Sequence, residues 1–306
     1  MPCSQEPPHY AYLKIADGCN NRCTFCAIPS IRGAYRSRRI EGLVSETERL
    51  TAEYGVKELI LVAQDTTRYG VDLYGAPALA ELIDRLSATD AEWIRILYAY
   101  PEMLDDALID RLAENRKVVK YLDIPLQHAA DGVLKRMGRR NDKKYAVELI
   151  EKLKKAGFAI RTTFITGFPG ETEADVDELV AFIRETKLDH IGFFAYSKEE
   201  GTPAARMKEQ IPERVKKARL SRLLSAGTEV MTARAKEYIG KTLKIICEGA
   251  DFERDLFYGR SQYQAPEIDG VVYIAASDTA MDAGGFYEVS ITDSDKFDLI
   301  GELKQK

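Results

Sequence analysis

Up to about residue 238 the chain alternates, six times over, a short apolar run rich in β-branched residues with a longer stretch of helical period. The runs are AYLKIA (11–16), KELILVA (57–63), WIRILYA (93–99), VVKYLDI (118–124), FAIRTTFIT (158–166) and DHIGFFAY (189–196). Between them, apolar residues recur at helical spacing over 41–54, 77–88, 104–114, 141–156 and 172–186, and Gly55 and Gly157 follow two of these stretches as helix-closing glycines do. Parallel strands need crossovers of this length, so the alternation predicts a parallel sheet with helices on its outside. Curled, that sheet is a partial (β/α)6 barrel; an open doubly wound sheet is the other arrangement the pattern allows.

A long helical stretch, 212–238, leads into a different texture. TLKIICEG, VVYIAA, FYEVSIT and FDLIGEL alternate with turn residues and lose the helical period, which predicts a small antiparallel β-barrel of about five strands, OB-like in style. The expected division is 1–238 for the α/β unit and 239–306 for the β-barrel. The chemistry-bearing residues of the α/β unit fall just after its strands, the edge where parallel folds build their sites.

Composition narrows the setting. No apolar run approaches the ~20 residues of a membrane helix, and MPCSQEPPHY lacks the basic-then-apolar pattern of an export signal. The reading is a cytoplasmic protein with no membrane partner, whose thiols stay reduced. Charge is uneven: residues 240–306 hold 7 Lys and Arg against 13 Asp and Glu, while the remainder is nearly balanced at 37 against 36. The acidic tail segment disfavours a phosphate backbone and favours a basic partner.

Three of the five cysteines, Cys19, Cys23 and Cys26, sit in GCNNRCTFCA (18–27) as CxxxCxxC. In a reducing compartment, clustered thiols read as metal ligands. A structural zinc site asks for four ligands in two separated pairs, and Cys3 and Cys247 do not form a second pair. A [4Fe–4S] cluster on three cysteines leaves one iron open to a substrate or cofactor.

At these residues the chain resembles the radical S-adenosylmethionine enzymes, which carry CxxxCxxC after the first strand of a partial barrel. The resemblance implies that the open iron chelates the methionine end of S-adenosylmethionine, and that one-electron cleavage of this cofactor gives a 5′-deoxyadenosyl radical that takes a hydrogen from carbon. By position it also implies cofactor contacts for Phe25, for Gln64 and Asp65 after the second strand, for Gln127 and Arg139 in IPLQHAADGVLKRMGRR (124–140), and for Thr163 and Gly167 in TFITGFPGET (163–172). In the last phrase Gly167 and Gly170 would let backbone approach the cofactor, and Glu171 would sit near a helix start. His128 fits a structural hydrogen bond. With no metal bound, the thiols alone would leave the backbone of 18–36 poorly held.

The longer phrases ELILVAQDTTRYG, AYSKEEGTPAARM and GRSQYQAPEIDGVVYI narrow the resemblance to the radical S-adenosylmethionine methylthiotransferases, nearest to the branch that modifies a small-subunit ribosomal protein, and the tail resembles that family's TRAM domain. The family uses a second [4Fe–4S] cluster in an N-terminal domain ahead of the barrel, which implies that this chain holds the first cluster only. The implied reaction places a methylthio group on the β-carbon of an aspartate, with a basic ribosomal protein as substrate and with an electron donor and a sulfur donor as further partners. Modification of a transfer RNA adenosine is the alternative, and the acidic tail makes nucleic acid the weaker choice. Arg32, Arg36, Arg38 and Arg39 in the cysteine loop speak for it. A non-catalytic metal-binding module is the alternative of another class.

Overall fold

The computed structural model describes residues 9–275 and 280–304, and Cys3 lies outside them. Six strands, β1 (Tyr10–Lys14), β2 (Glu58–Val62), β3 (Trp93–Ile96), β4 (Val118–Asp123), β5 (Ala159–Thr166) and β6 (His190–Ala195), pair in parallel in their chain order. A doubly wound sheet reverses its order at a switch point. This one does not, so it is the open (β/α)6 barrel.

Helices α1 (Ile40–Tyr54), α2 (Leu79–Ser87), α3 (Asp106–Glu114), α4 (Lys143–Lys155) and α5 (Glu173–Thr186) cover its outside. Their ends follow from local chemistry. Gly55 takes φ 67° and its N–H reaches Leu50 O and Thr51 O. Asp105 and Asp142 cap α3 and α4 by accepting from Leu108 N and Tyr145 N, and Thr172 with Asp175 forms a capping box on α5. Strand alternation then sorts the faces: Leu61, Ile94, Ile96, Leu122 and Ile160 pack beneath the helices with Leu43, Leu82, Leu149 and Phe182, while Ile60, Trp93, Leu97 and Tyr121 point inward.

The long helix α6 (Glu213–Lys236) leads to β7 (Thr242–Asp251), β8 (Leu256–Ser261), β9 (Val272–Ala275), β10 (Phe286–Asp295) and β11 (Asp298–Leu303), which close into a barrel. The expectation of an antiparallel barrel holds for four of its five pairings, but β9 and β11 run parallel. A closed ring with an odd number of strands cannot alternate direction throughout, so one parallel pair is unavoidable. Cys247 is buried in this barrel's own core.

The β-barrel seals the N-terminal end of the α/β unit. Ile246 and Ala265 meet Ile60, Trp93 and Tyr121, and Glu58, fully buried, accepts from Arg95 Nε at 2.7 Å and from Arg260 Nη2 at 2.7 Å. Arg260 Nε also donates to Glu248 at 2.6 Å. Burial alone would raise the Glu58 pKa, yet the two guanidiniums hold it below the ordinary value. Its folded-state value lies under the unfolded one, so its stabilisation is complete above the usual carboxylate range, about pH 4.3, and drains away as the pH falls through the folded value. Glu58→Gln leaves two buried cations sharing a neutral amide. Urea titrations are expected to show a loss of about 3–5 kcal/mol at neutral pH and a flatter stability profile than the wild type in acid.

Candidate functional site

With the N-terminal end sealed, the open end of the α/β unit is the C-terminal one. The cysteine loop after β1 and the segments after the next three strands converge there on a cleft of about 360 Å³, lined among others by Cys19, Cys23, Phe25, Cys26, Gln64, Tyr98, Tyr100, Gln127 and Arg139. That volume suits a small-molecule ligand.

The loop is pinned by protein groups. Cys19 N donates to Gly33 O, Thr24 N to Met137 O and Thr24 Oγ1 to Arg136 O, while Tyr35 OH donates to Asp65 O and Asn20 Oδ1 accepts from Tyr35 N. These bonds give residues 18–36 anchors beyond the thiols that the sequence reading considered. All three thiols are half-buried. Burial pushes the Cys19 and Cys26 thiols up, against the Asn21 N–H that favours the Cys19 thiolate and the Ile28 N–H that favours that of Cys26. Among the described residues no group of three Cys, His, Asp or Glu side chains is drawn together as ligands of a single ion. The three thiols line one cleft, and three thiolates suit a [4Fe–4S] group with one iron left open, whereas a structural zinc asks for a fourth ligand.

Two orphan atoms mark the rest of the cleft. Arg139 is buried, not part of an exposed basic face; its guanidinium stacks on Tyr100 at 4.1 Å, Nη2 donates to Pro125 O at 2.9 Å, and Nη1 lies 3.9 Å from Cys23 Sγ. Its Nε has no partner, and neither does the buried Gln64 Oε1. A donor and an acceptor thus remain unspent beside the thiols, and buried polar groups without partners are costly unless a ligand completes them. An amino-acid zwitterion supplies both complements, a carboxylate for Arg139 and an ammonium for Gln64. Arg140, next in sequence, is exposed.

Tyr98 (φ 58°) and Gln127 (φ 74°) both hold left-handed backbone at the cleft, a strain of about 1–3 kcal/mol each for side chains of this kind. Asp123 Oδ2 accepts from Tyr98 N at 3.2 Å, Thr66 donates twice to Tyr98 O, and Gln127 is clamped between Thr163 O and Ile165 N. Phe25 lines the cleft with its ring packed on the cluster of Ala130, Met137 and Phe168.

The other anticipated residues sit behind the cleft wall. Asp65 is fully buried, and its carboxylate accepts from Thr67 Oγ1, Arg68 N and Asn21 Nδ2; it caps a turn and ties down the loop that carries Cys23. Thr163 contributes its carbonyl to Gln127. Gly167 takes φ 75°, and a Cβ there would lie 2.4 Å from Lys216 Cγ; Gly170 makes room for Glu209 and Arg136 in the same way. Both glycines admit neighbouring side chains. Gly167→Ala combines the clash with a strained φ and is expected to cost about 1–3 kcal/mol in a denaturant titration.

Glu171 faces inward rather than toward the start of α5. It accepts from Gly167 N at 2.8 Å, from Thr166 Oγ1 at 3.0 Å and from Arg219 Nη1 at 2.9 Å, and it lies 3.4 Å from His128 Nε2. Burial raises its pKa, but His128 and the Gly167 N–H more than offset this and hold the carboxyl below its usual range. Sequence reading missed Asn21, Tyr98 and Tyr100. Tyr98 and Tyr100 close the WIRILYAY run at a parallel strand end, a position signal that would have found both.

Comparison with known proteins agrees with this picture. Residues 13–183 match the radical SAM superfamily and residues 239–303 the TRAM domain. The chain is 50% identical over 296 residues to the ribosomal protein uS12 methylthiotransferase RimO of Lachnoclostridium phytofermentans, covering 96% of this chain and 67% of that protein. It is 48% identical over 298 residues to RimO of Thermoanaerobacter sp. (strain X514), covering 97% and 67%. Among solved structures, coproporphyrinogen III oxidase (HemN) from Escherichia coli, a radical SAM enzyme, aligns with a TM-score of 0.54 at 15% identity, over 84% of this chain and 67% of that one. The radical S-adenosylmethionine methyltransferase TsrM from Kitasatospora setae aligns at 0.52 and 16%, over 79% and 42%; both show likeness of fold alone. With a radical SAM barrel, a TRAM barrel and identity near one half to these relatives, the chain belongs to the RimO family of radical SAM methylthiotransferases.

Proposed function

We propose that this chain is the radical S-adenosylmethionine core of a uS12 methylthiotransferase, in which Cys19, Cys23 and Cys26 hold a [4Fe–4S] cluster and the methionine end of the cofactor lies between Arg139 and Gln64. The observation that carries this reading is the pair of unpartnered atoms, a guanidinium N–H and an amide oxygen, flanking three thiols in one cleft. When bound, cluster and cofactor supply one-electron chemistry that activates a carbon–hydrogen bond, here at the β-carbon of an aspartate. Arg139, already oriented by Pro125 O and the Tyr100 ring, pairs with the cofactor carboxylate; Gln64 Oε1 accepts from its ammonium group. Phe25 and Gln127 border the same space and suit the nucleoside end. Asp65 keeps Asn21, and with it the cysteine loop, in register. Ile28, Ala63 and Pro125 form apolar wall that keeps water from the site.

Cluster reduction draws on an external electron donor. The chain's two remaining cysteines, Cys3 and Cys247, cannot form a second triad, so the second cluster and the sulfur donor lie beyond this chain's own thiols. The residues 240–306, with 7 basic against 13 acidic side chains, support a basic protein substrate over RNA. No helix among the described residues is long and apolar enough to cross a membrane.

Anaerobic reconstitution is expected to give a brown protein with about four irons per chain that binds S-adenosylmethionine and cleaves it on reduction. A colourless protein holding one zinc overturns this reading. Mass spectrometry of uS12 and of transfer RNA, incubated in parallel with this chain joined to a domain that carries the second cluster, decides the substrate: a methylthio gain on RNA alone overturns the choice of protein.

A further inference from the structure

Two buried sets of polar contacts join the β-barrel domain to the α/β unit, and they end in different places. The cluster of Glu58, Arg95 and Arg260 lies at the sealed end and contributes no residue to the cleft. The second set starts at Asp269, in the segment between β8 and β9, and runs to the cofactor cleft. Asp269 Oδ2 accepts from Tyr121 OH at 2.7 Å and from Ala265 N at 2.9 Å, and Oδ1 lies 3.6 Å from Arg161 Nε and 3.5 Å from His190 Nδ1. Arg161 is the Cα partner of Asp123 in the pairing of β5 with β4, and its Nη1 donates to Asp123 Oδ1 at 3.1 Å. The other oxygen, Asp123 Oδ2, accepts from Tyr98 N at 3.2 Å, and Asp123 O accepts from Ala99 N at 2.8 Å. One guanidinium is thus held by a carboxylate of each domain. The Asp123 and Asp269 side chains are 4% and 2% exposed, so water and salt screen these contacts little.

The near end of this chain of contacts carries cleft wall. Tyr98, with φ 58°, and Tyr100, on which Arg139 stacks, both line the cleft. Thr66 N and Oγ1 donate to Tyr98 O, and Tyr100 N donates to Thr67 Oγ1, so residues 98–100 lean on the segment that follows Gln64. A left-handed tyrosine persists only where its surroundings fix it, and the Asp123 carboxylate fixes its N–H. Burial pushes the Asp123 carboxyl up while the Arg161 guanidinium works against it, so Arg161 favours the carboxylate form that accepts from Tyr98.

We infer that Asp123, Arg161 and Asp269 are positioning residues for the cofactor cleft: through them the β-barrel domain holds the backbone of residues 98–100, and with it the Tyr100 ring against Arg139. This rests on the reading of the cleft as an S-adenosylmethionine site and adds that the second domain shapes that site without supplying any residue of its lining.

Hydrogen exchange on the full chain, read by mass spectrometry, follows the Tyr98 and Ala99 amides directly. Arg161→Met cuts the chain of contacts at its centre and is expected to speed exchange over 97–100 about tenfold, while residues 59–62 of β2 exchange as in the wild type. Asp269→Asn keeps an oxygen for Tyr121 OH and Ala265 N but loses the charge facing Arg161, and about threefold is expected. Calorimetry on the reconstituted protein should show S-adenosylmethionine affinity falling about threefold to thirtyfold in both, with partial recovery in Arg161→Lys. Gln262→Ala removes a different contact between the domains, the Lys120 N–H donated to Gln262 Oε1 at 3.1 Å, and should change neither reading. Wild-type exchange over 97–100 in Arg161→Met and Asp269→Asn, an unchanged affinity in both, equal losses in Gln262→Ala, or exchange that speeds up as much over 59–62 overturns the inference. If the wild type does not bind S-adenosylmethionine, the reading of the cleft fails, and exchange over 97–100 alone then decides whether the three residues hold its wall.

Discussion

Cys23→Ala is expected to abolish iron retention after anaerobic reconstitution, taking the chain from about four irons to well under one and removing absorbance near 400 nm. The magnitude follows from ligand count. Among Cys19, Cys23 and Cys26 no thiol is redundant, since Cys247 is buried in the core of the other barrel. Cys23 is the most informative of the three because its Sγ touches both Tyr100 OH, at 3.4 Å, and the Arg139 guanidinium. Removing it tests the link between the thiols and the cationic side of the cleft. The loop itself should survive, because its anchors run through the backbone and hydroxyl of Thr24 and through Tyr35. Urea titrations of the metal-free proteins should therefore agree within about 0.5 kcal/mol. A Cys23→Ala protein that still holds four irons removes that residue from the ligand set.

Arg139→Leu is expected to weaken S-adenosylmethionine binding by about thirtyfold to a thousandfold, the equivalent of about 2–4 kcal/mol for a buried charge-assisted contact. The site is prepared in advance: Tyr100 stacks on one face of the guanidinium, Pro125 O takes one N–H, and Nε is left with no protein partner. Arg139→Lys should recover only part of the loss, since an ammonium keeps the charge but cannot occupy the stacked, forked position. Calorimetry on the reconstituted protein measures both variants. An unchanged dissociation constant for Arg139→Leu, in a protein that still holds its cluster, refutes the assigned contact.

The two arginines at 139 and 140 show how far sequence reading reaches. Adjacent and chemically identical, they are equivalent candidates in a string of letters. The turn after Met137 buries one against Tyr100 and leaves the other in solvent. Gly167 makes the same point from the other direction. Its need for a positive φ is legible at a strand end, but what occupies the space of its missing Cβ is the Lys216 side chain, from a helix that begins more than forty residues later. Glu171 is similar: its place ahead of a helix suggests a partner for the helix dipole, and instead Arg219, 48 residues away, draws it inward.

What the sequence by itself determined is whatever depends on local period and grouping. Six alternations of apolar run and amphipathic stretch dictate a parallel sheet, whose chain order the structure then decided, while three thiols within eight positions and the acidity of residues 240–306 carry the proposals of a shared ligand and a basic partner. Tertiary structure alone decided which polar groups are spent and which remain for a ligand. Glu58 and Arg260 find each other across 202 residues, closing one end of the α/β barrel, while Arg139 Nε and Gln64 Oε1 are left unpaired at the other. The reason is physical: periodicity is a property of neighbouring residues, whereas the cost of burying a polar group depends on what the rest of the chain brings within hydrogen-bond reach.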